Sequence, residues 1–124
     1  MKKIIRFLPS IIWMLLIFYL SSQQTTGIGG DSYWGRFFIL KSFHIIEYAI
    51  LFILLFFAIN LYNYSFYISA IYALSDEFHQ KFTIGRMASL RDVLIDILGI
   101  YIGIVILKKM LKINYFRNLF FKKK

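Results

Sequence analysis

Cysteine is absent, so the chain has no disulfide, no thiolate nucleophile and no cysteine-ligated zinc or iron–sulfur site. Proline occurs once, as Pro9, in the first turns of an apolar run where a missing N–H is tolerated. Charge is scarce as well: 17% of the 124 residues are charged, six acids against fifteen bases, and long stretches carry none. Apolar residues fill the space, since 60% are hydrophobic, 20% are aromatic and the mean hydropathy is +0.67. Soluble domains carry under about half apolar residues, so this composition excludes a small soluble domain and points to an integral membrane protein. The formal charge of +9 accompanies segments that must sit in lipid, and its lysines and arginines collect at both ends. Anionic headgroups, not nucleic acid, are therefore the expected counter-surface.

A helix needs about 17–25 mostly apolar residues to cross about 30 Å of hydrocarbon. Four segments meet that length, at about 4–20, 41–61, 64–82 and 90–107. The expected fold class is all-α: a polytopic membrane protein, one domain over 1–124, built as a bundle of four transmembrane helices with a basic interfacial tail at 108–124. Residues 21–40 contain Thr25-Thr26-Gly27-Ile28-Gly29-Gly30-Asp31-Ser32 and read as the first loop. Asn60-Leu61-Tyr62-Asn63 reads as a tight turn between two helices of a hairpin, and the polar stretch 81–91 as a further loop. Lys2, Lys3 and Arg6 would also suit a signal peptide, but Leu20-Ser21-Ser22-Gln23 offers no Ala-x-Ala cleavage site, which favours a retained first span.

Lysine and arginine in short flanking segments face the cytoplasm. Lys2, Lys3 and Arg6 at one end, with Lys108, Lys109, Lys112, Arg117, Lys122, Lys123 and Lys124 at the other, place both termini inside, in agreement with an even number of spans. The segments 21–40 and 81–91 then face outward. Arg36, Lys41, Lys81, Arg86 and Arg91 run against the trend and call for a reason. The run from Met110 to Phe121 has the composition of an interfacial helix on an anionic inner leaflet. A plain basic anchor that fixes topology is preferred there over specific lipid recognition.

This topology gives each ionisable group a depth, at about 1.5 Å per residue. All six acids, both histidines and five of the bases fall in or beside the outer half, whereas the inner halves of the second to fourth helices are apolar. Residues three or four apart share a helix face. Lys41, His44 and Tyr48 look one way with Glu47 at the edge; Asp76 and Gln80 align with Glu77 beside them; Asp92, Asp96, Gly99 and Gly103 line the fourth helix. The last two form a GxxxG, which lets a neighbouring helix come close and turns the aspartates into the bundle. A carboxylate at bilayer depth costs at least about 2.5 kcal/mol, so several together require basic partners, a cation or water. Lys41, Arg86 and Arg91 are the available bases. The competing reading is a balanced network that merely joins the helices, but an intramembrane ionisable cluster is by default a site. His79 is equally well explained as a rim residue, and Tyr62, Tyr64, Tyr67 and Tyr72 as belt or core.

The string Lys41-x-x-His44-x-x-Glu47-Tyr48, then Asp76-Glu77-x-His79-Gln80-x-Phe82-x-x-Gly85-Arg86, then Ser89-x-x-Asp92-x-x-x-Asp96-x-x-Gly99-x-x-x-Gly103 resembles the VanZ-like family of small bacterial membrane proteins. Trp13 and Ser21-Ser22 extend the resemblance to the first helix, so it covers nearly the whole chain. Two positions depart from the family pattern: Ile84 stands where proline is usual, and Asp96 where many members have asparagine. The resemblance implies a multi-pass protein of the bacterial cell membrane. The family is named for a protein linked to resistance against the glycopeptide teicoplanin, and that link carries over as a label, not as a reaction.

Two functions follow as expectations. The first is an outer-leaflet site that binds or acts on an anionic lipid-linked envelope intermediate. His44, Asp76, Glu77 and Asp92 are its candidate catalytic groups, and Lys41, Tyr48, Gln80, Arg86, Arg91 and Asp96 its candidate substrate-binding groups. No serine lies in a recognisable nucleophile motif, so binding is better founded than hydrolysis. The second is a non-catalytic protein that shields an envelope precursor or assists a partner. Ion transport is disfavoured because the apolar inner halves complete no path. The oxygen donors suit Mg²⁺ or Ca²⁺ better than Zn²⁺, and protonation of Asp92 or Asp96 is preferred over either ion.

Overall fold

The computed structural model describes residues 2–24, 32–86 and 89–113. Four helices account for most of them: α1 (Lys2–Ser21), α2 (Tyr33–Ile59), α3 (Tyr62–Gln80) and α4 (Leu90–Lys112). There is no strand among the described residues. α1 and α2 are long and apolar enough to cross a membrane. α3 and α4 carry the buried acids Asp76, Glu77, Asp92 and Asp96, which lower their apolarity.

Two boundaries differ from those expected by more than two residues. α2 begins at Tyr33, so residues 33–40 are helix and not the end of a loop. Ser32 stops it as an N-cap, its hydroxyl accepting from Gly35 N at 3.3 Å. At about 1.5 Å per residue, the 27 residues of α2 reach about 40 Å, beyond the hydrocarbon core. Membrane thickness had set the expected length, whereas the helix continues wherever capping and apolar residues sustain it. α4 likewise runs to Lys112, five residues past the expected end at 107. Residues 25–31 of the glycine-rich run, and the tail from 114, lie outside the described residues.

The turn between α2 and α3 is Asn60 and Leu61. Asn60 closes α2 with φ of 62°, a left-handed conformation that asparagine tolerates, and its N–H donates to Phe56 O at 2.7 Å. At the other end of the bundle Ser89 caps α4 by accepting from Asp92 N at 3.3 Å. Pro9 sits well inside α1. Nearby, the Ser10 hydroxyl donates to Phe7 O at 2.8 Å.

α2 is the central helix and touches the other three, most extensively α4. Its apolar half builds the core from Leu51, Phe52, Leu55 and Phe56, joined by Ile17, Ala73, Ile100 and Leu107. Large apolar side chains also cover the outside, among them Leu8 and Leu15 on α1, Ile71 and Phe78 on α3, and Leu94 and Tyr101 on α4. An apolar exterior of this extent is a surface for lipid or protein, not for water.

α4 lies against α2 with almost no space between backbones. A Cβ at Gly99 would sit 2.6 Å from Ile45 O and 2.9 Å from its Cα; one at Gly103 would sit 2.7 Å from Ala49 O. Because the order 99, 103 follows 45, 49, the two helices run parallel, and the α3 connection between them makes that direction possible. Gly99→Ala and Gly103→Ala must each push the helices apart. Each is expected to lower stability by about 1–3 kcal/mol, read from unfolding of the purified protein in detergent.

Candidate functional site

The polar residues gather at one end of the bundle, where α1 and α3 finish and where α4 and the polar face of α2 start. On α2, Lys41, His44 and Tyr48 are spaced to share a face, and α4 presents Asp92 and Asp96 to it in the same parallel register. Lys41 Nζ lies 2.7 Å from Asp92 Oδ1, with side-chain exposures of 18% and 10%. One turn deeper, His44 Nδ1 lies 3.0 Å from Asp96 Oδ1, and both side chains are buried. The two aspartates thus face different bases.

The end of α3 forms a second set. Asp76 Oδ2 accepts from Ser21 Oγ at 2.8 Å and from Gln80 Nε2 at 3.0 Å. Gln80 Oε1 in turn accepts from Arg86 Nη1 at 3.2 Å. Arg86 also donates through Nη2 to Leu20 O at 3.1 Å, in the last turn of α1, and through Nε to Gln23 O at 3.3 Å, just beyond it. A guanidinium has five N–H donors, and these three bonds leave two for a ligand. In the turn, burial lowers the pKa of Arg86, while Asp76 and Glu47 raise it, and arginine stays protonated. Glu77 Oε2 accepts from Ser89 N at 3.3 Å, tying α3 to the cap of α4.

Several acceptors in this end have no hydrogen-bond partner although they are buried: Asp76 Oδ1, Glu77 Oε1 and Asp96 Oδ2, with the Tyr48 hydroxyl beneath them. A buried acceptor left unpaired costs about 1–3 kcal/mol, more when charged.

A cavity of about 320 Å³ lies between α1 and α2, with Leu20 and Phe43 on its largely apolar wall and Ser21, His44, Glu47 and Arg86 supplying its polar groups. A smaller one of about 140 Å³ reaches Lys41, His44, Gln80, Arg86 and Asp92. His44 and Arg86 border both.

Of the residues singled out in the sequence, Lys41, His44, Asp76, Glu77, Gln80, Arg86, Asp92 and Asp96 come together here. Tyr48 is at the same end but fully buried, lining neither cavity. Arg91 is exposed, its guanidinium 5.2 Å from the Phe37 ring, at the rim. His79 is half-buried, its ring stacked on Phe18 at 4.2 Å. Ser21 and Glu47 were not chosen as site residues, yet both line the larger cavity. A serine that ends an apolar helix was the available signal for the first. Glu47 lies at the edge of the α2 stripe, and Trp13 Nε1 donates to its backbone oxygen at 2.9 Å, holding α1 alongside.

A family model described as VanZ/LLP1 matches residues 6–113. No curated protein and no solved structure matches the chain.

The Lys41 and Asp92 pair is nearly dry, so its two halves are not equivalent to remove. Lys41→Met leaves an uncompensated carboxylate and is expected to cost about 3–5 kcal/mol. Lys41→Met combined with Asp92→Asn removes that charge and should recover most of the loss, as a double-mutant cycle in detergent will read.

Proposed function

The chain belongs to the VanZ/LLP1 family, and on that premise we propose that it is a four-span protein of the bacterial cell membrane whose outward-facing end holds the anionic head of a lipid-linked envelope intermediate. The observation that carries this reading is the cavity between α1 and α2. Its apolar wall suits a hydrocarbon chain, and His44, Glu47 and Arg86 supply polar groups where a head would lie. Lipid-linked phosphates join those two chemistries in one molecule. Arg86 is the anion-binding group because it keeps two N–H donors beyond its three protein contacts. His44, held by Asp96, is placed to take or give a proton to a bound head.

The four-span arrangement draws support from length and from the position of the acids. The 19 residues of α3 reach about 28 Å and the 23 of α4 about 34 Å, close to or beyond the hydrocarbon thickness. Their carboxylates are buried while Ile71, Leu74, Leu94 and Leu98 face outward, so each can meet lipid with an apolar surface. With both termini cytoplasmic, a cysteine at Ser32 is expected to label from outside and one at Asn63 from inside. Labelling of both from one side would refute the topology.

The ligand is tested with nanodiscs that contain either a polyprenyl phosphate or the corresponding polyprenol. The phosphate should bind at least about tenfold more tightly, as expected for charge-assisted hydrogen bonds worth about 1.5–3 kcal/mol. Arg86→Gln keeps two donors for the α1 carbonyls but loses the charge, and should abolish that preference. Equal binding of the two lipids, or a preference that survives Arg86→Gln, would overturn the reading.

A further inference from the structure

We propose that His44, Glu77 and Asp96 form a binding site for a divalent first-row transition ion, with Zn²⁺ the best match. One residue comes from each of α2, α3 and α4, and exposures of 6%, 4% and 0% place all three in the interior. Each offers a ligand atom within 4.8 Å of the other two. Independently of that clustering, Glu77 Oε1 and Asp96 Oδ2 are buried with no hydrogen-bond partner. An ionised carboxylate has only acceptor capacity to offer, so these oxygens call for a hydrogen-bond donor, a proton or a cation, and a divalent cation is the one group that all three side chains can bind together.

No neighbouring base makes a hydrogen bond or ion pair to Glu77, and only His44 makes one to Asp96. Lys41 pairs with Asp92, and the hydrogen bonds of Arg86 go to Gln80 and to the Leu20 and Gln23 carbonyls. Two carboxylates balance the charge of one divalent ion, and adjacent ligands on an ion with bonds of about 2.0–2.1 Å lie about 3.3 Å apart. The His44 Nδ1 to Asp96 Oδ1 separation of 3.0 Å is close to that spacing.

The donor set decides the ion. Sequence alone brings forward carboxylate oxygens, which favour Mg²⁺ or Ca²⁺. Packing adds an imidazole nitrogen and limits the protein ligands to three in a nearly dry interior. Mg²⁺ prefers six oxygens and keeps several waters, whereas three nitrogen and oxygen ligands with one position open suit Zn²⁺. Of the three, His44 borders both cavities, so the site adjoins the space assigned above to an anionic head.

The test uses the full chain in detergent, stripped with a chelator, loaded with ZnCl₂, dialysed, and measured for metal content and thermal unfolding. About one zinc per chain and a raised unfolding temperature are expected, while His44→Gln, Glu77→Gln and Asp96→Asn should each hold less than about a tenth as much. His79→Gln, which alters the other histidine, should retain the full amount. Stripped Glu77→Gln should unfold no lower than the stripped parent, because glutamine still accepts from Ser89 N and an unpaired carboxylate is gone; its loss of zinc then reports ligation and not misfolding. Zinc content below about a tenth per chain in the parent protein, equal zinc in Glu77→Gln and the parent, or an equal thermal shift with MgCl₂ would overturn the proposal. No lipid enters the measurement, so its failure leaves the polyprenyl phosphate comparison standing, and the reverse also holds.

Discussion

The close approach of α4 to α2 sets the position of everything at the polar end. Gly99 against Ile45 and Gly103 against Ala49 leave no room for a side chain, so the two helices have one register. Because they run parallel, the turn of α4 before Gly99 brings Asp96 to His44, the neighbour of Ile45, and a further step of three residues on α2 and four on α4 brings Asp92 to Lys41. Rotating α4 by one residue, about 100°, would swing both aspartates away from these bases towards the lipid side. Two missing side chains thereby determine how four ionisable ones meet.

That register matters because the carboxylates have no cheap alternative. Each buried acid is given a different form of support: Lys41 for Asp92, His44 for Asp96, Ser21 and Gln80 for Asp76, and the Ser89 N–H for Glu77. No base is shared between two of them, which limits like-charge crowding. The support is incomplete, since one oxygen on each of Asp76, Glu77 and Asp96 remains without a hydrogen bond. A network serving only to join helices gains nothing from buried unpaired acceptors. Arg86 meanwhile links the polar cluster to the last carbonyls of α1, so the helix that borders the larger cavity is anchored by the same side chain that faces it.

The opposite half of the bundle has the reverse character. Leu51, Phe52, Leu55, Phe56 and Leu107 form an apolar core, with the Tyr62 ring packed on Phe52 and Phe56, held by dispersion and shape. One end therefore has an apolar core, while the other carries hydrogen-bonding capacity.

Helix number, the one-sided placement of the acids and the Gly99–Gly103 stripe were legible in the sequence because each depends on spacing along a single helix, which 3.6 residues per turn makes local. The early start of α2 at Tyr33 was less so, since membrane thickness bounds a span but not the helix that contains it. Which base meets which acid was not legible: Lys41, Arg86 and Arg91 were equivalent candidates until packing put the first on Asp92, the second on Gln80 and α1 carbonyls, and the third over Phe37. Ser21 entered the cluster only because α1 ends beside Asp76, and Glu77 came near His44 and Asp96 only because three helices converge. By itself the sequence determined which residues share a helical face, since chain geometry fixes that locally. The tertiary structure alone decided which faces meet, because helix rotation and register arise from contacts between residues far apart in the chain.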